Sequence, residues 1–382
     1  MEKFILILII IYFCYLFYED LLTKKRRKKL KYVIHINGIR GKSTVSRLID
    51  SGLRSAGYKV FTKITGTSPR IINTEGKEKE ILRKGKANIK EQIKTIKWAD
   101  KEKAEVLVLE CMAVNPELQY ICENKILKAD ICVITNVRED HLDEMGKTLD
   151  EIANSLSNTM PTNGVLFTAD SNYVEFFKEK GKNKNTQVFF SNNLKEEYEK
   201  IDFSVNVALA VDVCKYLGIK EETALLGMKN YYKDPGVLKT LYYKNKKGNE
   251  IFFVNAMAAN DPNSTEIILD KISKKDYYRN KRYILINNRK DRVSRWEQYI
   301  KFVKKIEKKF DKIIVSGESK KLFYKYLIKE EIEKEKIEVL FNDDYFDCLE
   351  ESALIIAVGN ICGYGKKLIE FIEEKGEIID DK

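Results

Sequence analysis

Hydrophobic positions fall along the chain in three patterns. The first is an unbroken apolar run from Phe4 to Tyr18, built from Phe, Ile, Leu, Tyr and Cys. At ~15 residues it is a little short of the ~17–25 that cross a hydrocarbon core, so a crossing needs Leu21-Leu22 and snorkelling flanks. The second pattern is short apolar blocks of the buried parallel-strand type: Tyr32–Ile36, Val106–Leu109, Ile131–Thr135 and Val165–Thr168. A further series starts near residue 250, with Ile251–Val254, Tyr283–Ile286, Ile313–Val315, Val339–Leu340 and Leu354–Ala357. The third is helical: Thr44–Ala56 closed by Gly57, and Ser204–Leu217 with small residues on one stripe, ended by Gly218.

Repeated strand-then-helix units predict an α/β fold with mostly parallel sheets covered on both faces. The expected layout is an anchor over 1–23, a basic juxtamembrane linker over 24–32, a P-loop-containing central domain over 33–240 and a smaller Rossmann-like domain over 241–382. The Asp234-Pro235-Gly236 turn marks the approach to the last boundary. No internal repeat is visible. The lysine-rich stretches 178–184 and 329–336 read as solvated loops or helix faces.

Composition changes this picture little, but charge does. Charged residues make up 33% and hydrophobic residues 44% of the 382, as in ordinary globular chains of two or three domains. Seven of the residues between 24 and 31 are Lys or Arg, and the first 31 residues carry a net +5, nearly half of the total +11. This basic run follows the apolar stretch, the reverse of a cleaved signal peptide. It predicts a single-pass helix with everything after residue 24 on the cytoplasmic side; the alternative is a helix lying in the interface, pinned to anionic lipid. No nucleic-acid motif accompanies the charge, so no nucleic-acid partner is expected. The seven cysteines form no C-x-x-C pair, which excludes a zinc site or a disulfide framework.

The chemistry starts at Asn37-Gly38-Ile39-Arg40-Gly41-Lys42-Ser43-Thr44, between a strand and a helix. Glycines let backbone N–H groups face phosphate oxygens, Lys42 reaches the β- and γ-phosphates, and a hydroxyl meets Mg²⁺. The strict G-x-x-x-x-G-K-[ST] pattern would need glycine at Ile36. The form here instead resembles the G-x-x-G-K-[ST]-[ST] loop of Mur ligases and folylpolyglutamate synthases. Glu110 ends a strand, where ligands gather in open α/β sheets. Thr135-Asn136-Val-Arg-Glu-Asp140-His141-Leu142-Asp143 resembles the T-N-x-x-x-D-H-L-D signature of Mur ligases.

That resemblance implies Mg²⁺ held by Ser43, Glu110 and His141, and ATP held by residues 37–44 with Asn136 and an adenine-reading Asn206. The second histidine, His35, lies inside a strand and reads as a core residue. Four positions depart from the family. Leu156 stands near its carbamylated lysine, and Ala256 falls where its ribose-binding aspartate would be, with Asn255, Asn260 or Asp261 as substitutes. Lys239 replaces an arginine that steadies the γ-phosphate, and Phe203 takes the place of a second adenine-reading asparagine.

The strings Asn37–Thr44, Glu110–Pro116, Glu139–Asp143 and Ala258–Asp261 resemble the ligase subunits of poly-γ-glutamate synthases. The resemblance implies an ATP-dependent amide ligase that activates a carboxylate as an acyl phosphate and releases ADP. Lys42, Glu110, His141 and Arg289 are its expected catalytic residues. Thr65, Thr67, Arg70 and Arg292 are expected to bind glutamate or a growing γ-glutamyl chain; each of the arginines could instead close an ion pair. Implied partners are other membrane subunits, with a second copy of the chain left open. The alternatives are a membrane-tethered ATPase powering polymer export and a ligase with another acceptor, such as folate or a wall precursor.

Overall fold

A computed structural model describes residues 2–66, 69–83, 85, 87–233, 238–258, 261–290, 293–361 and 363–379. Thr67, Arg292, Asn260 and the Asp234-Pro235-Gly236 turn lie outside these residues. The chain forms two compact units, Met1–Lys233 and Asp234–Lys382.

The first unit is built on Tyr32–Asn37 (β1), Val60–Ile64 (β2), Arg70–Ile72 (β3), Glu78–Glu80 (β4), Val106–Glu110 (β5), Ile131–Ile134 (β6), Val165–Thr168 (β7) and Gln187–Phe190 (β8). They lie in the order β4-β3-β2-β5-β1-β6-β7-β8. The apolar blocks take the interior and pair in parallel, whereas β3 and β4 form an antiparallel edge. β1, β5 and β6 bring the carboxyl ends of three strands together, with Ile36 opposite Glu110 and Asn37 opposite Ile134. Helix Lys42–Ser55 packs its apolar stripe into the core with helix Ser204–Tyr216. Gly57, at φ 87°, lets the chain leave that first helix in the left-handed conformation.

The second unit contains Lys239–Lys244 (β9), Glu250–Asn255 (β10), Lys281–Asn288 (β11), Lys312–Gly317 (β12), Ile337–Val339 (β13), Ala353–Gly359 (β14) and Glu377–Ile379 (β15). Their order is β13-β12-β11-β14-β10-β9-β15, with β9 and β15 antiparallel at one edge and parallel pairing elsewhere.

The apolar N-terminal run is one helix, Glu2–Arg27, longer than the run itself. Residues 4–15, 17 and 18 are exposed and the domain covers none of the apolar stretch. The basic residues do not form a separate linker: 24–27 continue the helix, and part of the charge turns inward. Arg27 donates to the carbonyls of Leu127 and Lys128 and pairs with Asp130 at 2.8 Å. Arg26 and Lys29 pair with Asp100, and Thr23 and Leu30 are buried.

His35 is a core residue, fully buried in β1, with Nδ1 2.9 Å from Glu123 Oε2. Burial opposes its charge, but hydrogen bonding with Cys111, Cys122 and Glu123 outweighs this and raises its pKa well above 6.5. The other Glu123 oxygen accepts the Ala129 N–H. Glu123→Ala is expected to cost about 3–5 kcal/mol, because it strands a buried cation; urea denaturation at pH 6 measures it. A raised pKa makes the contribution of the pair complete below pH 6.5 and lost as pH climbs through the raised value, so the deficit should shrink in alkaline buffer.

Candidate functional site

The site grows from the turn between β1 and helix Lys42–Ser55. Gly38 has φ 118°, and a Cβ there would lie 2.1 Å from Thr135 Oγ1. Gly41 has φ 81°, and its Cβ would lie 2.8 Å from Asn206 Oδ1. Both positions therefore demand glycine through backbone angle and close approach. Gly41 starts the helix without a side-chain cap, so the first-turn N–H groups and the positive end of the helix dipole serve the loop, an arrangement that suits phosphate.

Asn136 clamps this loop. Its Oδ1 accepts the Arg40 N–H and its Nδ2 donates to the Arg40 carbonyl, both at 3.0 Å, while Thr135 Oγ1 donates to that same carbonyl at 2.6 Å. Asn37 works from below: Gly38 N–H donates to its Oδ1, and its Nδ2 reaches Gln119 Oε1 and Thr159 Oγ1. Buried Gln119 in turn donates to the Val114 carbonyl and to Ser155 Oγ. The side chains of Asn37 and Asn136, expected to touch nucleotide, are thus spent on shaping the loop. Gln119, Ser155 and Thr159 were not legible as parts of the site, since nothing in their local spacing announces a partner tens of residues away. Asn136→Ala is expected to weaken nucleotide binding roughly tenfold by loosening two bonds, as measured by titration with ATP.

Lys42 Nζ donates to the carbonyls of Gly38 at 2.7 Å and Ile39 at 3.3 Å. Burial lowers its pKa, against the pull of Glu110. Ser43 Oγ donates to Glu110 Oε2 at 3.0 Å, and the Thr65 N–H donates to the same oxygen at 2.9 Å. Glu110 is only 3% exposed. Three of the expected residues, Ser43, Thr65 and Glu110, therefore converge. The Ser43 hydroxyl and the Glu110 carboxylate supply hard oxygen donors that suit Mg²⁺, which needs few protein ligands. Among the described residues no group of three or more His, Cys, Asp or Glu is arranged around a metal position.

His141 sits on the loop after β6 in the left-handed region, at φ 51°, a conformation that costs energy for a residue other than glycine. Its Nε2 is 3.7 Å from Asp140 Oδ2, and that carboxylate also takes the Arg40 guanidinium at 3.1 Å. Asp140 thus ties the His141 loop to the phosphate loop. Asn206 Nδ2 donates to Asp202, whose other oxygen accepts the Tyr231 hydroxyl. The Asn206 amide nitrogen is therefore committed within the protein, with Oδ1 set against Gly41; Phe203 beside it is exposed.

Other expectations come out differently. Arg70, read as a glutamate-binding residue, lies 3.6 Å from Glu78, which the buried Arg47 also grips with both nitrogens. Lys239, expected near a γ-phosphate, lies on β9, between β10 and the edge strand β15, and pairs with Glu373 at 3.2 Å. Asp261 caps helix Pro262–Ile272 by accepting from Ser264 N–H, which leaves it poorly placed to read a ribose. Ala256 and Asn255 are buried at the end of β10. The Arg289 carbonyl accepts the Trp296 indole N–H, fixing the loop after β11. Leu156 is fully buried in an apolar cluster with Ile39, Cys132 and Ile134.

Comparison with known proteins agrees with this geometry. The Mur ligase middle domain matches residues 36–232, and the poly-gamma-glutamate synthase CapB C-terminal domain matches residues 240–375. The PGA synthase CapB of Bacillus subtilis (strain 168) is 39% identical over 374 residues, covering 93% of this chain and 94% of that protein. The capsule biosynthesis protein CapB of Bacillus anthracis is 37% identical over 372 residues, covering 94% and 80%. Among solved structures, the bifunctional folylpolyglutamate synthase/dihydrofolate synthase of Yersinia pestis superposes with a TM-score of 0.70 at 11% identity, covering 92% of each chain. MurF from Acinetobacter baumannii gives 0.67 at 15% identity, covering 94% of this chain and 80% of that one. The chain therefore belongs to the Mur ligase family, in the branch of the CapB poly-γ-glutamate synthases.

Proposed function

We propose that this chain is the ADP-forming amide ligase that polymerises glutamate through γ-linkages, held at a membrane by its N-terminal helix. The observation that carries the reading is the convergence of Ser43, Thr65 and Glu110 at the mouth of an uncapped helix, with Lys42 bound to the same loop. When bound, Mg-ATP supplies the phosphoryl group that turns a glutamyl carboxylate into an acyl phosphate, which the incoming amine opens. The protein contributes placement and charge rather than covalent chemistry. Ser43 and Glu110 would hold Mg²⁺, with His141 as the further ligand. Lys42 and the helix N-terminus stabilise negative charge on the moving phosphoryl. Asp140 keeps Arg40 and the His141 loop in register with it.

In the second unit, Arg289 and Arg292 are the cations proposed to steer anionic substrate; in the first, Thr65 and Thr67 are proposed to bind glutamate. The uncovered apolar stretch of helix Glu2–Arg27 supports the membrane assignment, with both units on the cytoplasmic side and small membrane subunits as partners.

The test is to incubate membranes carrying the full chain and its partner subunits with ATP, Mg²⁺ and glutamate. Glutamate-dependent ADP and, with hydroxylamine present, a glutamyl hydroxamate are the expected products. ATP hydrolysis without hydroxamate would replace ligation by the export-ATPase reading.

A further inference from the structure

The amino ends of β1, β6, β7 and β8 surround a cavity of about 630 Å³, at the edge of the sheet opposite the phosphate loop. Lys128, Lys178 and Lys182 line it together with Asn185 and Tyr216. Asp130 is the one carboxylate among its lining residues, and it is already neutralised: Arg27 pairs with it at 2.8 Å and the Val33 N–H donates to it at 2.7 Å. Lys178 and Lys182 contact Glu175 and Glu179 one helical turn back, but these pairs are exposed and hold the lysines weakly. The cavity is therefore lined by three cations and an exposed tyrosine, with the Asn185 Nδ2 donating to Asn163 Oδ1 at 2.8 Å on its wall. This is the chemistry of a phosphate-bearing headgroup site at a membrane surface.

Its position supplies the second, independent argument. The N-terminal helix ends on the cavity wall, since Arg27 bonds Asp130 and the carbonyl of Lys128, both lining residues. From Tyr18, the last residue of the apolar run, to Arg27 the helix rises ~13 Å. A headgroup layer occupies ~5–8 Å of that distance, and long lysine side chains can span the rest. On the reading that this helix enters a membrane, we propose that the cavity is a docking site for the phosphate headgroup of an anionic phospholipid in that same membrane. It makes a second attachment that fixes how the first unit faces the bilayer.

The experiment reconstitutes the full chain into bilayers of phosphatidylcholine alone or of phosphatidylcholine with phosphatidylglycerol. Acetylation of each lysine is followed by mass spectrometry, with exposed Lys366 as reference. Lys128, Lys178 and Lys182 are expected to react about fivefold more slowly in the anionic bilayer only. Equal rates in the two bilayers overturn the proposal. Slowing by inorganic phosphate in the phosphatidylcholine bilayer would also overturn it, by making the cavity a site for small anions. High-salt extraction of the same vesicles tests the anchor separately: release of full-length protein defeats the anchor reading, whereas retention with equal acetylation rates defeats only the headgroup site.

Discussion

Lys42→Ala is expected to lower glutamate-dependent ADP release by ~10³-fold or more while leaving the unfolding transition almost unmoved. The activity loss follows from position: Nζ is buried on the carbonyls of Gly38 and Ile39, inside the loop that must face phosphate. No second cation of that loop can replace it, because the Arg40 guanidinium is drawn to Asp140. Lys42→Arg should rescue poorly, since a planar fork does not fit where a compact ammonium sits. The small stability change follows from burial, which disfavours the charged amine and lowers its pKa, with Arg40 adding to the effect and Glu110 opposing it. That shift also separates activity from stability in alkaline buffer. Activity should fall on a limb lying below the ordinary lysine value of 10.5. Stability should rise through that same window, because the unfolded chain keeps the proton that the folded chain has lost. Wild-type ADP release from the alanine variant would refute the role assigned to Lys42.

Glu110→Gln should lower kcat by ~10²–10³-fold, and Glu110→Ala should go further and also destabilise the protein. Glutamine can still accept the Thr65 N–H and the Ser43 hydroxyl, so the local frame survives. What it lacks is the negative charge that a hard divalent cation requires. Alanine removes the acceptor as well and leaves the Thr65 N–H beside β5 without its partner, a loss of about 1–3 kcal/mol. Thermal unfolding alongside a Mg²⁺ titration of the rate distinguishes these effects. A glutamine variant with unchanged activity and unchanged Mg²⁺ dependence would reduce Glu110 to a scaffold for Thr65.

The contrast between these two residues and Arg70 shows which parts of the site can be read without coordinates. The phosphate loop was legible because its geometry is local: a buried strand, a turn demanding glycine at 38 and 41, and a helix beginning at Lys42. Glu110 and the Asn136–His141 segment were legible because they end parallel strands on either side of β1, at the same end of the sheet as the phosphate loop. Arg70, Asn37 and Lys239 hold protein partners that could not be read, for the opposite reason. Their partners, Glu78, Gln119 and Glu373, are set by where the chain returns rather than by neighbouring residues. Residue type alone does not say whether a cation or a carboxamide faces substrate or protein. Among the elements, the interior strands stand out as apolar blocks, whereas β3 and β4 at the edge are short and partly charged, as in Glu78-Lys79-Glu80. The helix Glu2–Arg27 outran its apolar stretch because lysines and arginines continue a helix well once Asp100 and Asp130 receive them.

A lysine carbamate forms only where an amine meets carbon dioxide. Leu156, sealed among Ile39, Cys132 and Ile134, offers no such amine. Its surroundings are too apolar to admit a charged adduct in its place. At that position this chain therefore carries no group that the bicarbonate content of the cell could fill or empty.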